Sequence, residues 1–243
     1  MLLLGIDVGT SSVKVSVVDA ATQQTIASAQ YPETEREIIS LQPGWAEQSP
    51  EKWWDDVKEA INNHYLTICE MVDGDISAEV LSTDFDSIVE EGKKLAAIHP
   101  NIVVKVPMIK DGIKAIKWFT DNGIRTNCTL IFSAGQAILA AKAGAAYVSP
   151  FIGRIDDSGW DGMVLIEQIS NIFEIQGYKT EILAASIRNA NHIIRAAELG
   201  AHVCTSPLES ILALLKHPLT DLGLAKFLED SKKMNAVVED IKG

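Results

Sequence analysis

The sequence predicts an α/β protein: an incomplete (β/α)8 TIM barrel of six βα units, preceded by an antiparallel β-meander and a helix. Three observations carry this prediction. From about residue 76 onward, short apolar runs alternate with longer amphipathic stretches at spacings of roughly 20 to 35 residues, the rhythm of parallel strands joined by crossover helices. Polar residues recur at the C-terminal ends of several different runs, and no G-x-G-x-x-G opens the first helical stretch, which favours a barrel over an open doubly wound sheet. The segment before residue 66 follows a different rhythm, strand and turn with no crossover helices.

In chain order, "LLLGIDVGTSSVKVSVVDAATQQTIASAQYPE" reads as strand, Gly-Thr-Ser-Ser turn, strand, polar turn and strand. "PGWAEQSPEKWWDDVKEAI" follows as a loop and a helix, opened by Ser49 as N-cap and Pro50 at the first helical position. Composition and connectivity change near residues 62 to 68 without a Gly/Ser linker, so the chain divides into 1–65 and 66–243. The candidate strands of the second part are 77–81, 102–108, 126–131, 146–151, 181–186 and 202–206. Between them lie "SIVEEGKKLAAI", "DGIKAIKWFTDNG", "SAGQAILAAKAG", "DGMVLIEQISNIFEIQG" and "NANHIIRAAELG", most of them ending in glycine as a helix C-cap does. A full barrel needs eight such units, and the sequence supplies six.

Composition narrows the function. With 243 residues, 47% hydrophobic and 22% charged, the chain has the balance of a soluble globular protein. Its formal charge of −12 and the lack of any basic run disfavour a nucleic-acid partner, so a small-molecule substrate is expected. Cys69, Cys128 and Cys204 are an odd number, far apart, which suits a reducing cytoplasm better than a disulfide framework. "MLLLGIDVGT" has no basic n-region and its apolar run stops at Asp7, so neither a signal peptide nor a membrane span is expected. His99, His192 and His217 lack the spacing of metal ligands and are assigned no role.

The chemistry centres on "NIVVKVPM", residues 101–108, where Lys105 interrupts an apolar strand. Burying an ammonium costs several kcal/mol unless it is paired or deprotonated. A neutral amine there is a nucleophile for a ketose carbonyl, and the resulting imine is an electron sink for breaking a neighbouring carbon–carbon bond. The plainer alternative is a lysine that reaches solvent from a strand end or pairs with a carboxylate. Glu79 in "SAEVL" and Thr129 in "NCTLI" would face the same barrel mouth, giving a carboxylate and a hydroxyl able to hold a water. Their alternatives are an ion pair with Lys105 and a core-facing threonine. Arg154 after "SPFIG", with Ser186 and Arg188 ending "EILAASIR", supplies the groups of a phosphate site, and barrels often place one after their last strands. The alternative there is a surface pair of Arg154 with Asp156 or Asp157.

Residues from about 66 to 235 resemble the small transaldolase and fructose-6-phosphate aldolase family. The resemblance runs through "ICEMVDG", "SAEVLSTD", "HPNIVVKVPM", "GIRTNCTLIFSAGQAILAAKAGA", "YVSPFIGRIDD", "EILAASIRN" and "HPLTDLGLAKF". It implies a class I aldolase barrel that cleaves ketose phosphates and transfers dihydroxyacetone through a lysine Schiff base. Lys105 matches the imine-forming lysine, Glu79 with Thr129 the pair that positions a water, and Arg154 with Ser186 the substrate phosphate site, with Arg188 close by. Phe151 stands where dihydroxyacetone-transferring members carry phenylalanine and fructose-6-phosphate-cleaving members carry tyrosine. The helix near 219–240 resembles the segment through which the family assembles pentamers and decamers. The resemblance implies no metal or organic cofactor. The family's first strand ends in a proton-shuttling aspartate, and Asp7 ends the first strand here in a similar place. The family's second-strand Thr-Thr-Asn-Pro-Ser segment is absent.

"GIDVGTSSVK" followed by "GWAEQSPEKWW" resembles instead the start of xylulokinase-type sugar kinases, which have an actin-like ATPase fold. There the Asp and the Gly-Thr-Ser turn lie near the ATP phosphates, because a tight turn lets backbone amides approach oxyanions. A second lobe, an adenine pocket and a general base have no counterpart, so ATP binding and phosphoryl transfer are not expected. The sequence reads as a fusion in which a kinase front replaces the first two βα units of an aldolase barrel. The alternative to an active enzyme is a truncated barrel without turnover.

Overall fold

The computed structural model of the chain describes residues 2–8, 13–19, 24–32 and 50–242. Strands β1 (Leu2–Val8), β2 (Val13–Asp19) and β3 (Thr25–Tyr31) pair antiparallel in that order, as the alternation predicts. The Gly-Thr-Ser-Ser turn and the loop carrying "GWAEQ" lie outside the described residues. Helix α1 (Pro50–Met71) lies against β2 and β3 and starts at Pro50, as expected. It runs unbroken for 22 residues, straight across the 65/66 boundary that composition suggested.

The remaining strands form one parallel sheet in strict chain order: β4 (Ile76–Glu79), β5 (Ile102–Pro107), β6 (Thr126–Ile131), β7 (Tyr147–Pro150), β8 (Glu181–Ala184) and β9 (Val203–Cys204). The crossovers are α2 (Phe85–Ala96), α3 (Lys110–Asp121), α4 (Ala134–Ala143), α5 (Ile152–Asp157) with α6 (Gly162–Gln176), and α7 (Ala190–Glu198); α8 (Leu208–Ala213) and α9 (Pro218–Lys242) follow. The starts obey local rules. Asp84, Ser133, Asp161 and Asn189 each accept a backbone N–H of the helix they cap, and Gly144 and Gly177 end α4 and α6 in the left-handed conformation.

The sheet is curled. Tyr147, which opens β7, donates its hydroxyl to Asp75 Oδ2 at 2.8 Å, and Asp75 directly precedes β4. Three strand spacings in a flat sheet would separate the two by about 14 Å. Curling brings them together, giving the wall of an incomplete TIM barrel with β4 and β9 as its outer strands. No strand of the meander joins it among the described residues, so "LLLGID" does not stand beside β4 as a barrel stave. The reason is local: β1, β2 and β3 pair antiparallel with one another, and a parallel stave needs a crossover connection.

Between the sheet's convex face and the helices lies the main core, with Ile88, Val104, Val106, Ile116, Phe119, Cys128, Val148, Ile166, Ile169 and Ile182 fully buried. Each aliphatic or aromatic side chain buried there stabilises the fold by about 1.5–3 kcal/mol. A tight seam joins α2 to α3, where Gly92 lets the Phe119 ring in; a Cβ on Gly92 would stand 2.3 Å from Phe119 Cζ.

Candidate active site

Strand alternation sends Val104 and Val106 to the helices and Lys105 to the concave side. The β4–β5 register places Glu79 beside it, and Lys105 Nζ donates to Glu79 Oε2 at 2.9 Å. The two side chains are 25% and 45% exposed. The ammonium is therefore not sealed in an apolar strand, as the sequence suggested, but lies paired in an open cavity. That cavity, about 690 Å³, is lined from every strand of the parallel sheet, by Ser77 and Glu79 at one end through Lys105, Asn127 and Ser149 to Leu183 and Cys204 at the other.

The other expected residues are only partly gathered here. Phe151 and Ser186 line the cavity, Ser186 in a left-handed conformation (φ 59°) that is uncommon for a residue with a side chain. Thr129 shares the face of Asn127 by alternation, but it is fully buried two residues further along, its hydroxyl without a hydrogen-bond partner among the described residues. It does not line the cavity, so Glu79 and Thr129 are not assembled there as a water-holding pair. The three-residue phosphate group is divided as well. Arg154 lies with its guanidinium carbon 4.9 Å from the centre of the Phe151 ring and opens on a neighbouring depression with Phe132, Ser133 and Trp160. Arg188 donates to Asp157 Oδ2 at 2.7 Å, while Asp156 faces His192 Nε2 at 3.2 Å. Arg154 makes no ion pair with either aspartate. The cause of the split is the short helix α5, which the sequence reading did not foresee; it carries Arg154 off the strand end onto the outer side of Phe151. The turn that holds Ser186 is pressed against α5 at Gly153, where a Cβ would lie 2.1 Å from Ser186 O. For Asp7, the described strand pairs with Lys14 of β2, and its side chain lies outside the described residues.

Sequence reasoning missed a polar layer beneath the lysine. Ser149 Oγ donates to Asn127 Oδ1 at 2.7 Å, and Asn127 Nδ2 donates to Ser77 Oγ at 3.1 Å, spanning β7, β6 and β4. Below it Asp75 accepts from Arg125 Nη1 at 2.6 Å and from Tyr147. Burial and the hydrogen bond to Asp75 push the Tyr147 phenol up to about 12. The available signal was polar residues at alternate positions of apolar strands, on the face that carries Lys105. No group of His, Cys, Asp and Glu able to hold a metal ion occurs among the described residues.

A parallel βα sheet curled round a cavity, with an amine and a carboxylate paired at its strand ends, defines an enzyme of the (β/α)-barrel class. The sequence model of the Transaldolase/Fructose-6-phosphate aldolase family matches residues 15–242, and the chain belongs to that family. A protein named "Probable transaldolase" from Cytophaga hutchinsonii is 64% identical over 178 residues, covering 73% of this chain and 82% of its own. One of the same name from Phocaeicola vulgatus is 61% identical over 174 residues, covering 72% and 80%. Another, from Flavobacterium psychrophilum, is 57% identical over 178 residues, covering 73% and 82%. None of these matches carries the kinase resemblance of the first segment, and the family match begins well ahead of residue 65. No helix among the described residues is long and apolar enough to cross a membrane.

Proposed function

We propose that the chain is a transaldolase-type enzyme that cleaves ketose phosphates and transfers a dihydroxyacetone unit, with Lys105 as nucleophile. The observation that carries this reading is the Lys105–Glu79 hydrogen bond inside the cavity lined by the whole parallel sheet. Glu79 takes a proton from Nζ, and the freed lone pair attacks the ketose C2. The carbonyl oxygen leaves as water, giving a protonated imine. The C3–C4 bond then breaks, its electron pair moves toward the imine nitrogen as an enamine, and the C4 hydroxyl gives up its proton as the aldehyde forms. Attack of the enamine on an acceptor aldehyde completes transfer; protonation and hydrolysis complete simple cleavage. Phe151 at the mouth favours transfer, and Ser186 is read with Arg154 and Arg188 as the substrate phosphate site, Arg154 reaching it by turning off the Phe151 ring.

Borohydride added with fructose 6-phosphate or dihydroxyacetone is expected to leave a reduced adduct on Lys105, read by intact mass and peptide mapping. An unshifted mass overturns the reading. It extends to a cytoplasmic homo-oligomer joined through α9, whose Leu219, Leu222, Phe227 and Leu228 are exposed. Residues 1–65 are read within it as a kinase-derived front, supported by their separate sheet and by relatives that cover under three quarters of the chain.

The two unclosed outer strands favour one second reading, a truncated barrel without turnover. A chain that binds no ketose and melts broadly with dye uptake supports that reading over the first.

A further inference from the structure

We propose that Tyr65, on α1, is the hydrogen-bond donor that faces the ketose carbonyl beside the Lys105–Glu79 pair, an inference that rests on the Schiff-base reading above. Tyr65 lines the same cavity as Glu79 and Lys105. Its ring is fixed by packing against the small core of Cys69, Ala78 and Ile102, which lies between α1 and the outer face of β4 and β5. No hydrogen bond ties the phenol to a described residue, so the hydroxyl is free to donate to a ligand. Burial, and then the negative charge of Glu79, hold its pKa above the ordinary tyrosine value, which keeps it a neutral donor. The other ionisable groups facing the cavity are Asp75 and Glu79 at β4, Lys105 on β5 and Cys204 on β9, with Cys69 on the same helix.

The proton accounting is simple. As the Lys105 amine forms its bond to C2, the carbonyl π pair moves to oxygen, which takes the Tyr65 proton. The phenolate then takes a proton from the new C–NH2+ group, leaving a neutral carbinolamine and a neutral phenol. Among the described residues β4 is the outer stave of the sheet, and the helix beside it contributes Tyr65 to the cavity.

The test is the rate of borohydride labelling of Lys105 with fructose 6-phosphate. Tyr65→Phe keeps the packed ring and is expected to slow labelling about 10²-fold, the lower end of what a positioned acid–base group contributes, with half-saturating ketose unchanged. Labelling within twofold of the parent, with an unchanged melt, overturns the inference while leaving Lys105 as nucleophile. Absence of labelling in the parent removes the Schiff-base reading and this inference together. Should Tyr65→Phe melt early, 3,5-difluorotyrosine at position 65 keeps the packing and lowers the phenol pKa. The alkaline limb of the labelling profile is then expected to move down in pH, and an unmoved limb overturns the proposal.

Discussion

Lys105 and Glu79 occupy paired positions of adjacent parallel strands and touch at 2.9 Å, with both side chains open to one cavity. Because the two strands hold them in register, the contact follows from backbone geometry and not from a loop. An exposed pair of this kind stabilises a fold by about 0–1 kcal/mol, so its placement is chemical more than structural.

Lys105→Met is therefore expected to abolish the borohydride adduct and lower turnover by at least about 10³-fold. Its melting free energy should stay within about 1 kcal/mol of the parent. Glu79→Gln should still form the adduct, but about 10²-fold more slowly, since a base is removed and the nucleophile kept. Stopped labelling assays check both.

Gly92→Ala should destabilise the chain by about 1–3 kcal/mol, because the new methyl meets the Phe119 ring in a filled core. The double variant Gly92→Ala with Phe119→Leu should recover part of the loss in urea melts.

Tyr147 adds a pH dependence. Its folded pKa, near 12, lies above the ordinary value of 10, so the folded state holds the proton more tightly. The stability it contributes is complete below pH 10 and is lost as pH rises from about 10 toward 12. The parent-minus-Tyr147→Phe difference in unfolding free energy should shrink across that window; a difference flat in pH contradicts the assignment.

Arg154→Ala should raise the KM for fructose 6-phosphate about tenfold or more while leaving labelling by dihydroxyacetone nearly unchanged. That split identifies a phosphate contact made only when Arg154 leaves the Phe151 ring. Equal effects on both substrates would instead mark it as a packing residue.

Most of the fold was legible. Apolar runs and amphipathic stretches, most of them glycine-terminated, predicted all six parallel strands and the helices α2, α3, α4, α6 and α7 to within a few residues, because period and punctuation are local properties. Lys105 was legible as an exception inside such a run, and Glu79 as a strand-end carboxylate. What sequence could not show depends on curvature. Tyr147 meets Asp75, and Ser77 meets Asn127, only because the sheet bends across intervening strands. Arg154 was misplaced because six residues after Phe151 wind into α5, too short a helix to leave a periodic signal. Tyr65 escaped notice because it belongs to a helix whose relation to the cavity no spacing encodes.

Helix α1 is one continuous shaft that packs against both sheets. Val57 and Ala60 are buried on its first half, which lies along β2 and β3, and Tyr65 and Cys69 pack on its second half against Ala78 and Ile102. Each residue turns an α-helix by about 100°, so the number of residues between Ala60 and Tyr65 sets the angle between the two packing faces. One residue inserted there would swing Tyr65 roughly a quarter turn away from the cavity while leaving the helix intact. The helix thus works like a keyed coupling: what it transmits between the two sheets is phase.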